Sequence, residues 1–221
     1  YIDDCPKAWR AVTIEHLLAH RSVRAFLPKT LPAGTIETLV VAAQSASSSS
    51  NLQAWSVVAV EEAVHKARLA ELAGRQAHIQ AAPLFLVWLA DLARIESQAR
   101  RLGIEAEGLD YLEALLIGVI DAALAAQNAV LALESLGMAC VYIGAVRNAP
   151  DAVAAELGLP PRVFPVFGLC GGYPDPDRPA AVKPRLPQDA VLHRERYDLA
   201  AQDEAVARYD ATMTGFYSGQ G

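Results

Sequence analysis

Three short polar clusters carry the residue types that bind charged, hydrogen-bonding ligands. In the first, His20, Ser22 and Arg24 alternate within His20-Arg21-Ser22-Val23-Arg24. Alternate residues of an extended segment face the same way. These three would then line one surface and suit a phosphate and a polar ring edge. Taken alone, these five residues read more simply as a solvated basic turn. The second cluster is Ser47-Ser48-Ser49-Ser50-Asn51-Leu52-Gln53. By composition a serine run reads as a flexible linker. Here it joins an apolar-faced helix to a strand with no room for a domain boundary. Loops of small hydroxyl and amide side chains between rigid elements are frequent ligand contacts. In the third, Pro184 biases Lys183 toward an extended conformation, which puts Lys183 and Arg185 on one side. Such a pair suits an anion such as phosphate, and a basic loop stub is the plain alternative. A bulky anionic cofactor accounts for all three clusters together.

The elements that must position these clusters centre on residues 110–148. Nothing from 112 to 136 breaks a helix except Gly118, which weakens it mildly. Such a helix is roughly 35–40 Å long. Apolar residues fall on nearly every face, so it is expected to be buried nearly all round. Glu113, Asp121, Gln127, Asn128 and Glu134 interrupt the apolar run and argue against a membrane span. Gly137 supplies a C-terminal stop, and residues 138–143 read as a buried strand ending at Gly144. A core spine that delivers backbone to a ligand and a simple core helix plus strand fit this stretch equally.

Around the spine, Thr13 is expected to cap a helix over 13–19. Further helices are expected over 34–45, 61–72 and 91–102, and after Pro150 with Asn148 as cap. The tail, 199–217, reads as a weakly apolar helix. Strands are expected over 55–60, 84–90 and 163–170, with Pro165 forcing the last to an edge or a bulge. His78 reads as a surface or capping histidine. Glycine-rich nucleotide loops and nucleophile elbows are absent.

The chain has 221 residues, 53% of them hydrophobic, and a formal net charge of −6. That suffices for one domain over 1–221 with a full core. The mildly acidic balance argues against nucleic acid as a partner. Cys5, Cys140 and Cys170 are far apart and odd in number. They point to a reducing, cytoplasmic compartment, without a disulfide framework, and His and Cys are too scattered for a metal site. No signal peptide is visible at the N-terminus. High hydrophobicity without a spanning segment implies apolar surface buried against another subunit.

These clusters resemble, in order and spacing, the FMN-dependent nitroreductase family, in its branch of NADPH nitroreductases and flavin reductases. The matching segments are HRSVR at 20–24, SSSSNLQAWS at 47–56, GRQAH at 74–78, AQNAVLALESLGMACVYIG at 126–144, FGLCGGYP at 167–174 and KPRLP at 183–187. Together they cover nearly the whole chain. The resemblance implies an α+β fold, a central mostly antiparallel sheet flanked by helices in an interlocked homodimer, with the long helix at the dimer core. It implies that His20 and Ser22, with Arg21 adjacent, hold the phosphate and ribityl end of FMN, and that Arg24 sits by the N1 and C2 carbonyl edge of the ring. Ser48, Ser49, Asn51 and Gln53 match a loop that contacts FMN, partly from the neighbouring subunit. Gln76 matches a ring-edge contact. Tyr142, Ile143 and Gly144 match backbone beside N5 and the C4 carbonyl, where Gly144 leaves room for substrate. Arg147 falls in the same motif, and Lys183 and Arg185 match the phosphate clamp. No side chain need act as acid or base, because hydride passes through the flavin.

The implied activity is NAD(P)H-dependent reduction of small planar acceptors (nitroaromatics, quinones or free flavin) by a ping-pong route. Members of this branch usually continue past the position of Gly221 with a basic arm that helps bind NADPH, the expected donor. Two other readings stand beside this one: a non-catalytic flavin-binding protein for storage or sensing, and a specialised azo-reducing or dehalogenating flavoenzyme. Neither a membrane nor nucleic acid is an expected partner.

Overall fold

The computed structural model describes residues 6–219; Cys5 lies outside them. Helices run over Val12–Leu18 (α1), Thr35–Gln44 (α2), Ala63–Leu72 (α3), Ala77–Ala81 (α4), Ala93–Arg101 (α5), Leu112–Ser135 (α6), Pro150–Glu156 (α7), Gln188–Val191 (α8) and Asp203–Ser218 (α9). Strands run over Trp55–Ala59 (β1), Leu84–Asp91 (β2), Ala139–Ile143 (β3) and Val163–Gly172 (β4). The chain divides into two compact units, Ser22–Ala180 and the segments before and after it.

In Ser22–Ala180 the strands form one sheet in the order β1-β2-β4-β3, every neighbouring pair antiparallel. Its side chains alternate between two covered faces, as strand geometry requires. Leu84, Leu86 and Trp88 of β2 join Leu39 and Ala43 of α2 and the alanine-rich side of α6 in one core. Phe85, Val87 and Leu89 join Leu69 of α3, Ile79 of α4 and Val153 of α7 in the other. Covering on both faces explains why β2 reads as an unbroken apolar run. Cys140 belongs to the first core and Cys170 to the second, so the sheet separates them, and both are free thiols. Burial pushes each thiol up to about 12.

Of the two places open to Pro165, an edge or a bulge, the structure takes the bulge: β4 is a central strand with a register shift, Trp88 opposite Phe167 and Leu89 opposite Pro165. The shift leaves Val166 as the extra residue of a bulge, where a missing N–H is tolerated. α6 is not buried all round. Nine of its 24 residues are buried, Gly118, Asp121 and several alanines among them. Leu112, Leu116, Ile120 and Leu124 form an exposed stripe, Leu112 being 69% and Ile120 55% accessible. By length and composition α6 could cross a membrane, but its inner side packs on the sheet and buries a carboxylate, as a core helix does. The cap residues also differ: Ala11 precedes α1 and Ala149 precedes α7, neither with a side-chain cap. Pro150 does occupy the first turn of α7.

In the other unit α8 and α9 pack together. Arg208 of α9 hydrogen-bonds Asp189 of α8 and pairs with Glu204 at 3.4 Å.

Candidate functional site

Within Ser22–Ala180, Ser22 makes a parallel bridge to Cys140 of β3, and the Val23 N–H donates to the Cys140 carbonyl at 2.9 Å. Val23 is 2% exposed while Ser22 and Arg24 face outward. The extended alternation expected for this segment is therefore present over 22–24. Two residues beyond Cys140, the Tyr142 hydroxyl donates to Gln127 Oε1 at 3.4 Å and its ring meets Phe167 edge-on at 5.1 Å. Burial pushes its phenol well above the ordinary range. Ile143 is buried, and Gly144 opens a 3-10 turn, Gly144–Asn148.

Gly144 is exposed, but the side where a Cβ would project faces Arg147, whose Nη2 lies 3.3 Å from that point. Arg147 Nη1 in turn hydrogen-bonds the carbonyl of Val166, the bulged residue. The guanidinium thus latches the turn after β3 onto β4. Gln76 is half-buried and extended at the start of α4, directly after Arg75, whose φ is +60°. His78 Nε2 is buried without a hydrogen-bond partner. Burial, and then the nearby Arg24 guanidinium, holds the His78 pKa below its ordinary value.

The serine loop is an ordered structure and not a linker. Ser50, Asn51 and Gln53 have φ of +49°, +55° and +50°. Each non-glycine residue there costs on the order of 1 kcal/mol, so the surroundings must over-determine the shape. They do so from two sides. Asp121 of α6, 1% exposed, accepts the Ser48 hydroxyl at 2.7 Å, the Ala54 N–H at 2.9 Å and the Ser49 N–H at 3.3 Å. Ser48 Oγ accepts the Gln53 N–H at 2.7 Å. From α5, Arg94 donates to the carbonyls of Gln53 and Trp55. Ser48 therefore spends its hydroxyl inside the loop, while Ser49, Asn51 and Gln53 are exposed. The loop leads into β1 at one edge of the sheet, and Ser22 and Arg24 run beside β3 at the other. Three strand spacings, roughly 14 Å, separate those edges. One chain does not bring the two groups together.

In the other unit, Lys183 and Arg185 are both exposed on either side of Pro184. Lys183 Nζ donates to the Tyr217 hydroxyl at 3.2 Å and lies 5.6 Å from that ring's centroid. The His20 N–H closes the end of α1 onto the Leu17 carbonyl at 3.2 Å, and Arg21 Nη1 donates to the Ala19 carbonyl at 3.2 Å. Lys183, Arg185 and Arg21 are donor-only side chains, the chemistry of an anion site. Among the described residues no group of three or more His, Cys, Asp or Glu side chains could hold a metal.

The family model described as "Nitroreductase family" matches residues 17–173, and that described as "Nitroreductase family, C-terminal domain" matches 183–221. The chain belongs to the nitroreductase family. It is 41% identical over 208 residues to an FMN reductase (NADPH) of Bacillus subtilis, covering 93% of this chain and 83% of the relative. It is 39% identical over 211 residues to an oxygen-insensitive NADPH nitroreductase of Salmonella typhimurium, covering 95% and 84%. Among solved structures, a B. subtilis nitroreductase superposes with a TM-score of 0.90 at 40% identity, covering 94% of this chain and 85% of that one.

Three residues that shape the candidate site were not singled out from the sequence. Asp121 stood out only as an argument against a membrane helix; a lone carboxylate amid alanines is also the signature of a buried acceptor for backbone donors. Arg94 gave no signal, because its partners are backbone carbonyls. Tyr217 gave none either, being 34 positions from Lys183. A separate cleft of about 640 Å³ is lined by 28–37, Ala59–Glu61 and Ala81, Pro83, Leu84 and Phe85. None of the candidate residues is among its walls.

Proposed function

We propose that this nitroreductase is an NAD(P)H-dependent FMN oxidoreductase that reduces nitroaromatics, quinones or free flavin. The observation that carries the reading is the outward pair Ser22 and Arg24, fixed beside β3 and the exposed Gly144, in a chain of this family. The donor chemistry of the exposed residues fits FMN. In one unit Lys183, Arg185, His20 and Arg21 carry donors suited to a phosphate, and in the other Ser22 carries one suited to a ribityl hydroxyl. Arg24 and Gln76 would take the polar ring edge. Tyr142, Ile143 and Gly144 would offer backbone, and Ser49, Asn51 and Gln53 side-chain donors. When bound, FMN supplies two-electron transfer, accepting a hydride from NAD(P)H and passing it on to the acceptor.

Arg24 would set a positive charge beside the ring edge on which negative charge develops on reduction, which would favour the reduced state. Arg147 latches the Gly144 turn, so the backbone there needs no reorganisation. Gly144 is exposed although Arg147 fills the side where its Cβ would project, and on this reading one planar molecule at a time lies beside the turn, so that donor and acceptor take turns. The working unit is a homodimer of the cytoplasm, in which a second copy brings a serine loop to the Ser22 and Arg24 edge. The opposite-edge arrangement within one chain, the exposed stripe on α6 and the two free buried thiols support this reading.

The test is a flavin assay followed by initial-rate kinetics. One FMN per chain and parallel double-reciprocal lines at several fixed acceptor concentrations are expected. Intersecting lines would rule out the single-face mechanism. Bound FMN that NADPH and NADH both fail to reduce in stopped flow would instead favour a storage or sensing protein.

A further inference from the structure

The serine loop's shape is set from outside the loop. Ala54, its last residue, is fully buried against α6. At Gly118 a Cβ would come within 3.2 Å of the Ala54 carbonyl oxygen and 2.9 Å of Ala90 Cβ, so only glycine lets the helix lie this close. One turn on, Asp121 takes the Ala54 N–H, the Ser49 N–H and the Ser48 hydroxyl. Through Ser48 Oγ it also fixes the Gln53 N–H. These bonds bracket the three left-handed residues on both sides. Opposite, Arg94 holds the Gln53 and Trp55 carbonyls and is itself oriented by Ser56 Oγ at 3.2 Å and Asp91 at 3.4 Å.

We infer that Asp121, seated by Gly118 and opposed by Arg94, is the positioning residue that pre-forms the loop for cofactor, and that Ser48 serves as its relay and not as a direct cofactor contact. The inference rests on the FMN reading above. Asp121 acts at a distance: its carboxylate is spent on the loop and offers nothing to a ligand. Removing it lets Ser50, Asn51 and Gln53 relax out of the left-handed region, and cofactor must then select the small fraction of loops still in the binding shape. Apparent affinity falls in proportion to that fraction. Turnover of protein already loaded with cofactor is largely spared, because no reacting group is lost.

The experiment compares Asp121→Leu, Asp121→Asn and Ser48→Ala with the unaltered protein by FMN titration, turnover at saturating FMN and amide hydrogen exchange. Asp121→Leu is expected to raise the FMN Kd at least about tenfold, with kcat at saturating FMN within about twofold. The Gln53 and Ala54 amides should exchange faster while the β2 and β4 amides do not. Asp121→Asn should largely rescue: with its carbonyl in the Oδ2 position it keeps the Ser48 and Ala54 bonds and gives up only the 3.3 Å bond from Ser49. Ser48→Ala should raise both the Kd and the Gln53 exchange rate, and combining it with Asp121→Leu should add little. An unchanged Kd in Asp121→Leu overturns the inference. So does a Ser48→Ala variant that binds FMN weakly with Gln53 exchange unaltered, which would make Ser48 a direct contact. If Asp121→Leu does not fold, Ser48→Ala decides on those two readouts. Failure of the unaltered protein to bind FMN would instead sink the cofactor reading and is seen in the first titration.

Discussion

His78 holds a buried ring nitrogen without a partner, and its pKa lies below the ordinary 6.5 because of burial and then Arg24. The folded protein therefore binds fewer protons than the unfolded chain just below that value, and stability rises with pH across the interval. The contribution is fully present above about pH 6.5 and is lost as pH falls through the folded pKa. The melting temperature is expected to drop between pH 7 and pH 5, and His78→Leu should flatten that part of the profile. Parallel profiles for the two proteins would show that His78 is not the group responsible. At this scale much of the candidate site was legible in the sequence: alternation alone gave the shared outward face of Ser22 and Arg24. What was not legible is which polar side chains are already spent. Ser48 is committed to Asp121, 73 positions away, and Arg147 to the Val166 carbonyl. A motif names a residue type, and only the fold decides whether its hydrogen bonds point outward.

α6 shows how an element can be read correctly in kind and incorrectly in surroundings. Its length and its run into a strand ending at glycine follow from local rules. Its half-exposure does not, since an apolar stripe looks the same whether this chain or another covers it. Pro165 is similar: a missing N–H demands an edge or a bulge, and the sequence around it does not say which. Gly118 reads locally as a mild flaw, yet it is where α6 meets β2 and the end of the serine loop. Gly118→Ala would gain up to about 1 kcal/mol of helix propensity. Against this stand contacts of 2.9 Å with Ala90 Cβ and 3.2 Å with the Ala54 carbonyl, neither of which is a flexible side-chain end. Such overpacking costs about 1–3 kcal/mol, so Gly118→Ala is expected to destabilise by on the order of 1 kcal/mol net. Gly215 of α9 has nothing within 4 Å of its Cβ position, so Gly215→Ala should be neutral or stabilising. Urea unfolding of both variants reads the opposite signs, and a stabilised Gly118→Ala protein would refute the close-approach account.

Across the whole molecule, the exposed stripe of Leu112, Leu116, Ile120 and Leu124 is the surface that the proposed homodimer would cover. Fully burying a leucine or isoleucine contributes about 1.5–3 kcal/mol, so four give roughly 6–12 kcal/mol at best. Association itself costs an estimated 4–15 kcal/mol. The stripe alone is therefore marginal, and a stable homodimer requires further surface around it, above about 2,000 Å² for an obligate pair. A charge placed mid-stripe should then suffice to tip the balance, because burying it unpaired costs several kcal/mol. Ile120→Arg is expected to shift the light-scattering mass at micromolar concentration from two chains toward one chain of 23.6 kDa. FMN should be released along with the partner, since the serine loop and the Ser22 and Arg24 pair lie at opposite edges of a single chain's sheet. Circular dichroism separates dissociation from unfolding: the helical signal should persist in the monomer. A variant that stays dimeric would remove α6 from the interface. A folded monomer that keeps all its FMN would show instead that one chain completes the cofactor site by itself.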